Sequence, residues 1–240
     1  MSTWSLLKKS YKEIYKHIFS VLWASFTWFF TAGALIAGII VGIEAKFLLV
    51  PALLASLFVG PTTAGSFYIT NKIANYEQVG FKDFFIGIKR YFLPAVGVTL
   101  VLSLAVIVIG IDFKFFLDSE FKLFGYYILK LVSPMWIYVL VFISVLTMYI
   151  FPLLIEFERI DKEFSFLDLF KYSFFLTLKE LKYTLVIFLN IIIFSAVSGA
   201  LVIGLPILFM GGISLFANNA TVNLLVKYGV KEKMNGPGTF

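Results

Sequence analysis

Residues 19–43 carry no Asp, Glu, Lys or Arg, and residues 47–68 and 91–111 repeat that feature. A helix needs about 20 apolar residues to cross the hydrocarbon of a bilayer. Uncharged runs this long, separated by short polar links, leave little room for any fold but a helical membrane bundle. Composition agrees. The chain is 240 residues long, 60% hydrophobic and 14% charged, where soluble domains run at about 45–50% and about 25%. Its mean hydropathy is +0.96.

The remaining apolar stretches give residues 126–157, 183–203 and 206–226, the last two divided by Gly204, Leu205 and Pro206. The expected fold is therefore all-α: a polytopic membrane domain over residues 1–228 with six transmembrane helices, followed by a polar cytoplasmic tail over 229–240. The first apolar run is too long for a signal-peptide core and follows a lysine-rich segment, so it reads as an uncleaved span. Lys and Arg orient the chain. With the N-terminus inside, the four inside segments hold four, four, five and three of the 20 basic residues, leaving Lys46, Lys114, Lys122 and Lys130 outside. That asymmetry predicts both termini in the cytoplasm. The net charge of +6 follows from it. No basic run exceeds two residues, so no nucleic-acid partner is implied.

Two helix breaks are expected inside spans, at Gly60-Pro61 and at Pro152, because proline removes a backbone donor and clashes with the preceding turn. Thr62, Thr63 and Ser66 would rebond the freed carbonyls. Residues 2–19 place Trp4, Leu7, Tyr11, Ile14 and Ile18 on one face with lysines on its flank. That pattern suits a helix lying in the headgroup layer or a short helix packed on the bundle. Two further amphipathic stretches, 81–92 and 164–178, align at Phe81-Lys82-Asp83-Phe84-Phe85 and Phe166-Leu167-Asp168-Leu169-Phe170. Ser5 is a weaker third counterpart of Asp83 and Asp168. Three copies of one unit result: interfacial helix, span, outside turn, span. The aromatic members Phe81, Phe84, Phe85 and Phe170, with Asp83 and Asp168, form the expected partner-facing surface.

Little chemistry is available. Cysteine is absent and His17 is the single histidine, so no thiol catalysis or multi-histidine metal site is possible. No phosphate loop, zinc-protease or catalytic-serine motif appears. Neither a catalytic residue, a metal site nor a cofactor is predicted. Glu156, Glu158, Asp161 and Glu163 read as a solvated acidic face paired with Arg159 and Lys162. Asn190, Asn218 and Asn219, with Thr62 and Thr63, have two readings: a polar cleft through the bundle, or hydrogen bonds between helices. Gly38 and Gly42 form a GxxxG that permits close helix approach without specifying an oligomer.

Gly60-Pro61-Thr62-Thr63-Ala64, the basic loop after it, and Asp83-Phe84-Phe85-Ile86-Gly87-Ile88-Lys89 together resemble the YesL-like family of small bacterial membrane proteins, a domain of unknown function. Tyr149-Ile150-Phe151-Pro152-Leu153-Leu154 resembles its second half, so the likeness spans roughly residues 15–225. The resemblance implies a bacterial cytoplasmic-membrane protein, often encoded near carbohydrate uptake systems. The functional expectation is an accessory or regulator of solute uptake, within a membrane transport complex. The alternative is a channel or carrier with its own polar path. An interfacial lipid enzyme using the Glu156–Glu163 carboxylates with Asp83 is a third class.

Overall fold

One residue outside helical geometry is enough to turn an amphipathic helix into an apolar one, and among the described residues this happens three times. In the computed structural model, which describes residues 2–33, 35, 57–119, 130, 132–160 and 165–232, α1 (Thr3–Lys16) meets α2 (Ile18–Trp28) at His17, with φ −111° and ψ 33°. α4 (Asp83–Arg90) meets α5 (Phe92–Asp118) at Tyr91, with φ −103° and ψ 15°. α7 (Phe166–Lys179) meets α8 (Leu181–Ala200) at Glu180, with φ −120° and ψ 43°. At each corner the residue's N–H still reaches back one helical turn, to Glu13 O at 2.9 Å, Gly87 O at 3.0 Å and Leu176 O at 3.1 Å. The first helix is thus closed before the chain changes direction.

The remaining helices are α3 (Val59–Ala74), α6 (Pro134–Arg159) and α9 (Met210–Lys227). Wider π turns continue α2 through Phe29–Gly33 and lead into α9 from Leu205–Phe209. Among the described residues there is no strand, and the protein is an all-helical, multi-pass membrane protein. Among the described residues, four helical segments are long and apolar enough to cross a bilayer: Phe92–Asp118, Pro134–Arg159, Leu181–Ala200 and Leu205–Lys227. Helix α5 runs seven residues beyond the expected end of its span. The Gly38–Gly42 motif and the first half of the second expected span lie outside the described residues.

Helices α3 and α9 lie at the centre of the bundle and pack on each other, and both contact α2 and α6. α4 lies along α3, at a separation only glycine allows. A Cβ on Gly65 would sit 2.8 Å from Phe84 O, and one on Gly87 would sit 2.7 Å from Tyr68 Cβ. This contact turns α4 inward and corrects the expected partner-facing surface. Phe84 is fully buried, and Asp83 is buried with its carboxylate on Lys72 Nζ at 2.9 Å, while Phe81 and Phe85 stay exposed. The helix interruption expected from Gly60-Pro61 falls at the start of α3, where a turn at residues 57–58 precedes Val59. Both residues sit in the first turn of α3, where proline's missing N–H is unneeded, and Gly60 packs against Ala95 O of α5. Pro152 lies buried inside α6, which continues through it.

The amphipathic helices share a cap. Asp83 Oδ2 accepts from Gly80 N at 2.7 Å, and Asp168 Oδ2 accepts from Ser165 N at 2.8 Å. In each case a carboxylate closes the helix start three residues upstream. In α1 the N-cap is Ser2, its Oγ accepting from Ser5 N at 3.3 Å, so Ser5 stands three residues after the cap as Asp168 does after Ser165. Phe170 is half-buried and stacks edge-on with Phe166.

Candidate functional site

Asn71 and Asn75 sit one turn apart near the end of α3, so their amides share a face. That face meets Glu156, in the last turn of α6. Glu156 Oε1 accepts from Asn71 Nδ2 at 2.6 Å and from Asn75 Nδ2 at 2.7 Å. Asn71 Nδ2 also donates to Asn218 Oδ1 of α9 at 3.2 Å. Asn218 Nδ2 in turn donates to Thr70 Oγ1 at 2.9 Å and to Phe67 O at 3.0 Å. The Lys231 ammonium completes the cluster, donating to Glu156 Oε2 and to Asn75 Oδ1. Asn71, Glu156 and Asn218 are all fully buried.

Lys231 arrives there because of the turn that ends α9. Gly229 adopts φ 67°, a left-handed conformation that favours glycine and closes a helix C-terminus. The N–H groups of Val230 and Lys231 then bond back to Leu225 O, at 2.9 and 3.2 Å. Residues 229–231 are therefore folded back onto the bundle. The expectation for Glu156 is corrected. It is no part of a solvated acidic face, because the interhelical amides enclose it. Burial lowers the affinity of the Lys231 amine for its proton, and Glu156 opposes that shift.

A second cluster adjoins the first. Asn219, next to Asn218 but facing α1, donates from Nδ2 to Glu13 Oε2 at 2.6 Å and to Ser10 Oγ at 3.1 Å. Its Oδ1 is buried without a partner. Burial raises the Glu13 pKa, with Lys9 opposing. Around both clusters, ion pairs tie the helix ends together: Arg90 with Glu158 at 2.7 Å, Arg159 with Glu77, and Lys227 with Glu180.

The residues expected along a polar path are dispersed. Thr62 Oγ1 donates within its own helix to Phe58 O and Val59 O, at 3.0 and 2.9 Å. Thr63 Oγ1 accepts from Trp28 Nε1 at 3.0 Å, and Ser66 Oγ donates to Ala24 O of α2 at 3.0 Å. Asn190 Nδ2 donates to Tyr11 Oη at 3.1 Å. Thr63 lines an apolar cavity of about 330 Å³ between the helices, with Trp28, Phe67, Thr147 and Met210. Asn219 lines a separate cavity of about 400 Å³ with Leu6, Lys9, Asn75, Lys227 and Lys231. The two share no lining residue, and Asn218 lines neither. Of the five residues, only the sequence neighbours Thr62–Thr63 and Asn218–Asn219 lie together.

Sequence reasoning missed Asn71, Asn75 and Lys231. The i, i+4 asparagines on α3, and Gly229 directly after the last span, were the available signals. No protein-family model matches the chain, and comparison with curated proteins and with solved structures returns no match.

Proposed function

We propose that this is a six-span protein of the bacterial cytoplasmic membrane, with both termini in the cytoplasm, that assists or regulates solute uptake through contacts rather than catalysis. The observation that carries this reading is the closure of the polar residues on one another. Asn71, Asn75, Asn218, Glu156 and Lys231 satisfy each other across α3, α6 and α9 instead of lining a passage. Buried polar networks of this kind fix one arrangement of helices.

The three single-residue corners support the topology and the threefold unit. Ser5 to His17 and Asp168 to Glu180 are equally spaced, and Asp83 to Tyr91 is one turn shorter. Each corner joins an amphipathic helix to an apolar one, and the ion pairs between helices gather at that end, where Lys and Arg are concentrated. The likeness to the YesL-like family adds a carbohydrate solute. An apolar groove of about 430 Å³ beside Phe81, lined also by Phe19, Trp23 and Phe26, fits lipid or a partner helix. Phe85, four residues on from Phe81, is exposed as well.

Affinity capture of the tagged protein from native membranes tests the proposal. Co-purification of a transporter subunit supports it, and recovery of the chain alone contradicts it. The second reading, a carrier, draws on the 330 Å³ cavity inside the bundle. It requires solute flux in liposomes containing only this protein.

A further inference from the structure

The two oxygens of Glu156 are held in different ways. Oε1 takes both asparagine amides, donors that α3 fixes in place. Oε2 takes the Lys231 ammonium, which also fills Asn75 Oδ1. Lys231 belongs to a short return segment, attached through the main-chain bonds of 229–231 to Leu225 O and Val226 O. Lys231 also forms part of the wall of the 400 Å³ cavity. Withdrawal of that one side chain would open Oε2 and Asn75 Oδ1 to the cavity, where Asn219 Oδ1 is already a buried acceptor without a donor. The other lysines on the wall are committed elsewhere, Lys9 to Glu13 and Lys227 to Glu180.

We propose that Glu156 Oε2 and Asn75 Oδ1 form a binding site for the ammonium group of a primary amine entering from this cavity, and that Lys231 is its built-in, displaceable occupant. A buried carboxylate stripped of its cation is strongly disfavoured, so the site requires a replacement when the return segment leaves. A primary ammonium meets the need. It carries three compact donors on a single nitrogen, and its alkyl stem would lie against Leu6, Val222 and Val226 of the cavity wall. A quaternary ammonium has no N–H to offer either acceptor. Burial also weakens the hold of Lys231 on its own proton, which favours exchange for a better-placed cation.

Propylammonium, the end of a lysine side chain, is the probe. In the full chain in detergent, Lys231→Ala should lower the unfolding midpoint, and saturating propylammonium should raise it again by about 3–8 °C. Tetramethylammonium and sodium at equal ionic strength should leave it unchanged, and so should propylammonium added to Lys231→Ala combined with Glu156→Gln. No response, or an equal response to sodium, overturns the assignment. Bilayers with and without an ethanolamine headgroup distinguish a lipid amine from a soluble one. A midpoint already restored by that headgroup assigns the lipid amine, and one restored only by propylammonium assigns the solute. If Lys231→Ala does not fold, the wild-type chain still decides. Propylammonium, but not tetramethylammonium, should speed tryptic cleavage after Lys231 severalfold, and an unchanged rate contradicts the proposal.

Discussion

Helix α5 and the segment leading into and through α9 are both long enough to cross a bilayer, yet in an 18-residue apolar stretch of the first only 17% of the residues are buried against protein, compared with 61% in such a stretch of the second. The exposed helix is a run of Leu, Val and Ile, while the buried one carries Gly211, Gly212, Ser214, Asn218, Asn219 and Thr221. In water the more apolar helix would be the central one. In lipid, apolar surface gains little by leaving the acyl chains, so close packing and hydrogen bonds between helices decide which one is central. Small residues let α9 approach α2, with Gly211 N donating to Ser25 Oγ at 2.8 Å, and its asparagines join it to α1 and α3.

This contrast can be broken at the polar cluster, where the largest effect is expected. Glu156→Ala leaves the Lys231 ammonium buried without its carboxylate and should cost about 3–5 kcal/mol, read as a lower midpoint in denaturant-induced unfolding. Replacing both partners, by Glu156→Leu with Lys231→Met, should recover most of that loss, because two apolar side chains need no compensation. A double variant as unstable as Glu156→Ala would mean that the asparagines, rather than the ion pair, hold the cluster together.

The apolar halves of the two helices sharpen the same comparison. Leu215 of α9 is fully buried, and Leu104 of α5 is 64% exposed. Leu215→Ala should cost about 2–5 kcal/mol through the cavity it leaves. Leu104→Ala should change stability by less than about 0.5 kcal/mol in the same unfolding measurement. Equal costs would show that α5 is packed against protein, as part of an oligomer.

A smaller effect is expected at Glu13, where α1 docks on α9. Its folded-state pKa lies above the ordinary carboxylate value because of burial. The folded chain therefore favours the protonated form. The contribution of Glu13 to stability is complete below the unfolded pKa and is lost as pH rises through the folded one. Glu13→Gln should raise the midpoint slightly at pH 8, by about 1 kcal/mol or less. The gain should vanish near pH 4.

The membrane class and the amphipathic helices were legible because long uncharged runs and 3–4 periodicity are local properties of the chain. Asp168, in a capping box, was legible for the same reason, since a carboxylate closing its own helix is a short-range motif. The assembly of the site was not. Glu156 opens a charged segment and looks solvated until Asn71 and Asn75 are brought to it from 85 and 81 residues away. Phe84 and Asp83 appear surface-facing by periodicity alone. Only the contact of Gly65 with Gly87 turns their helix inward.

The central claim is that polar contacts close the lysine-rich end of the bundle and leave no continuous aqueous path. The chain has no cysteine, so single introduced thiols report their own access without a background. Ala220 is fully buried on α9 beside the polar clusters, Thr63 lines the apolar cavity, and Phe81 is exposed. In right-side-out and inside-out vesicles treated with a membrane-impermeant maleimide, Ala220→Cys and Thr63→Cys should stay unlabelled from both faces. Phe81→Cys should label only from the cytoplasmic face. Labelling of Ala220→Cys or Thr63→Cys from either side would reveal an open polar passage and contradict the account.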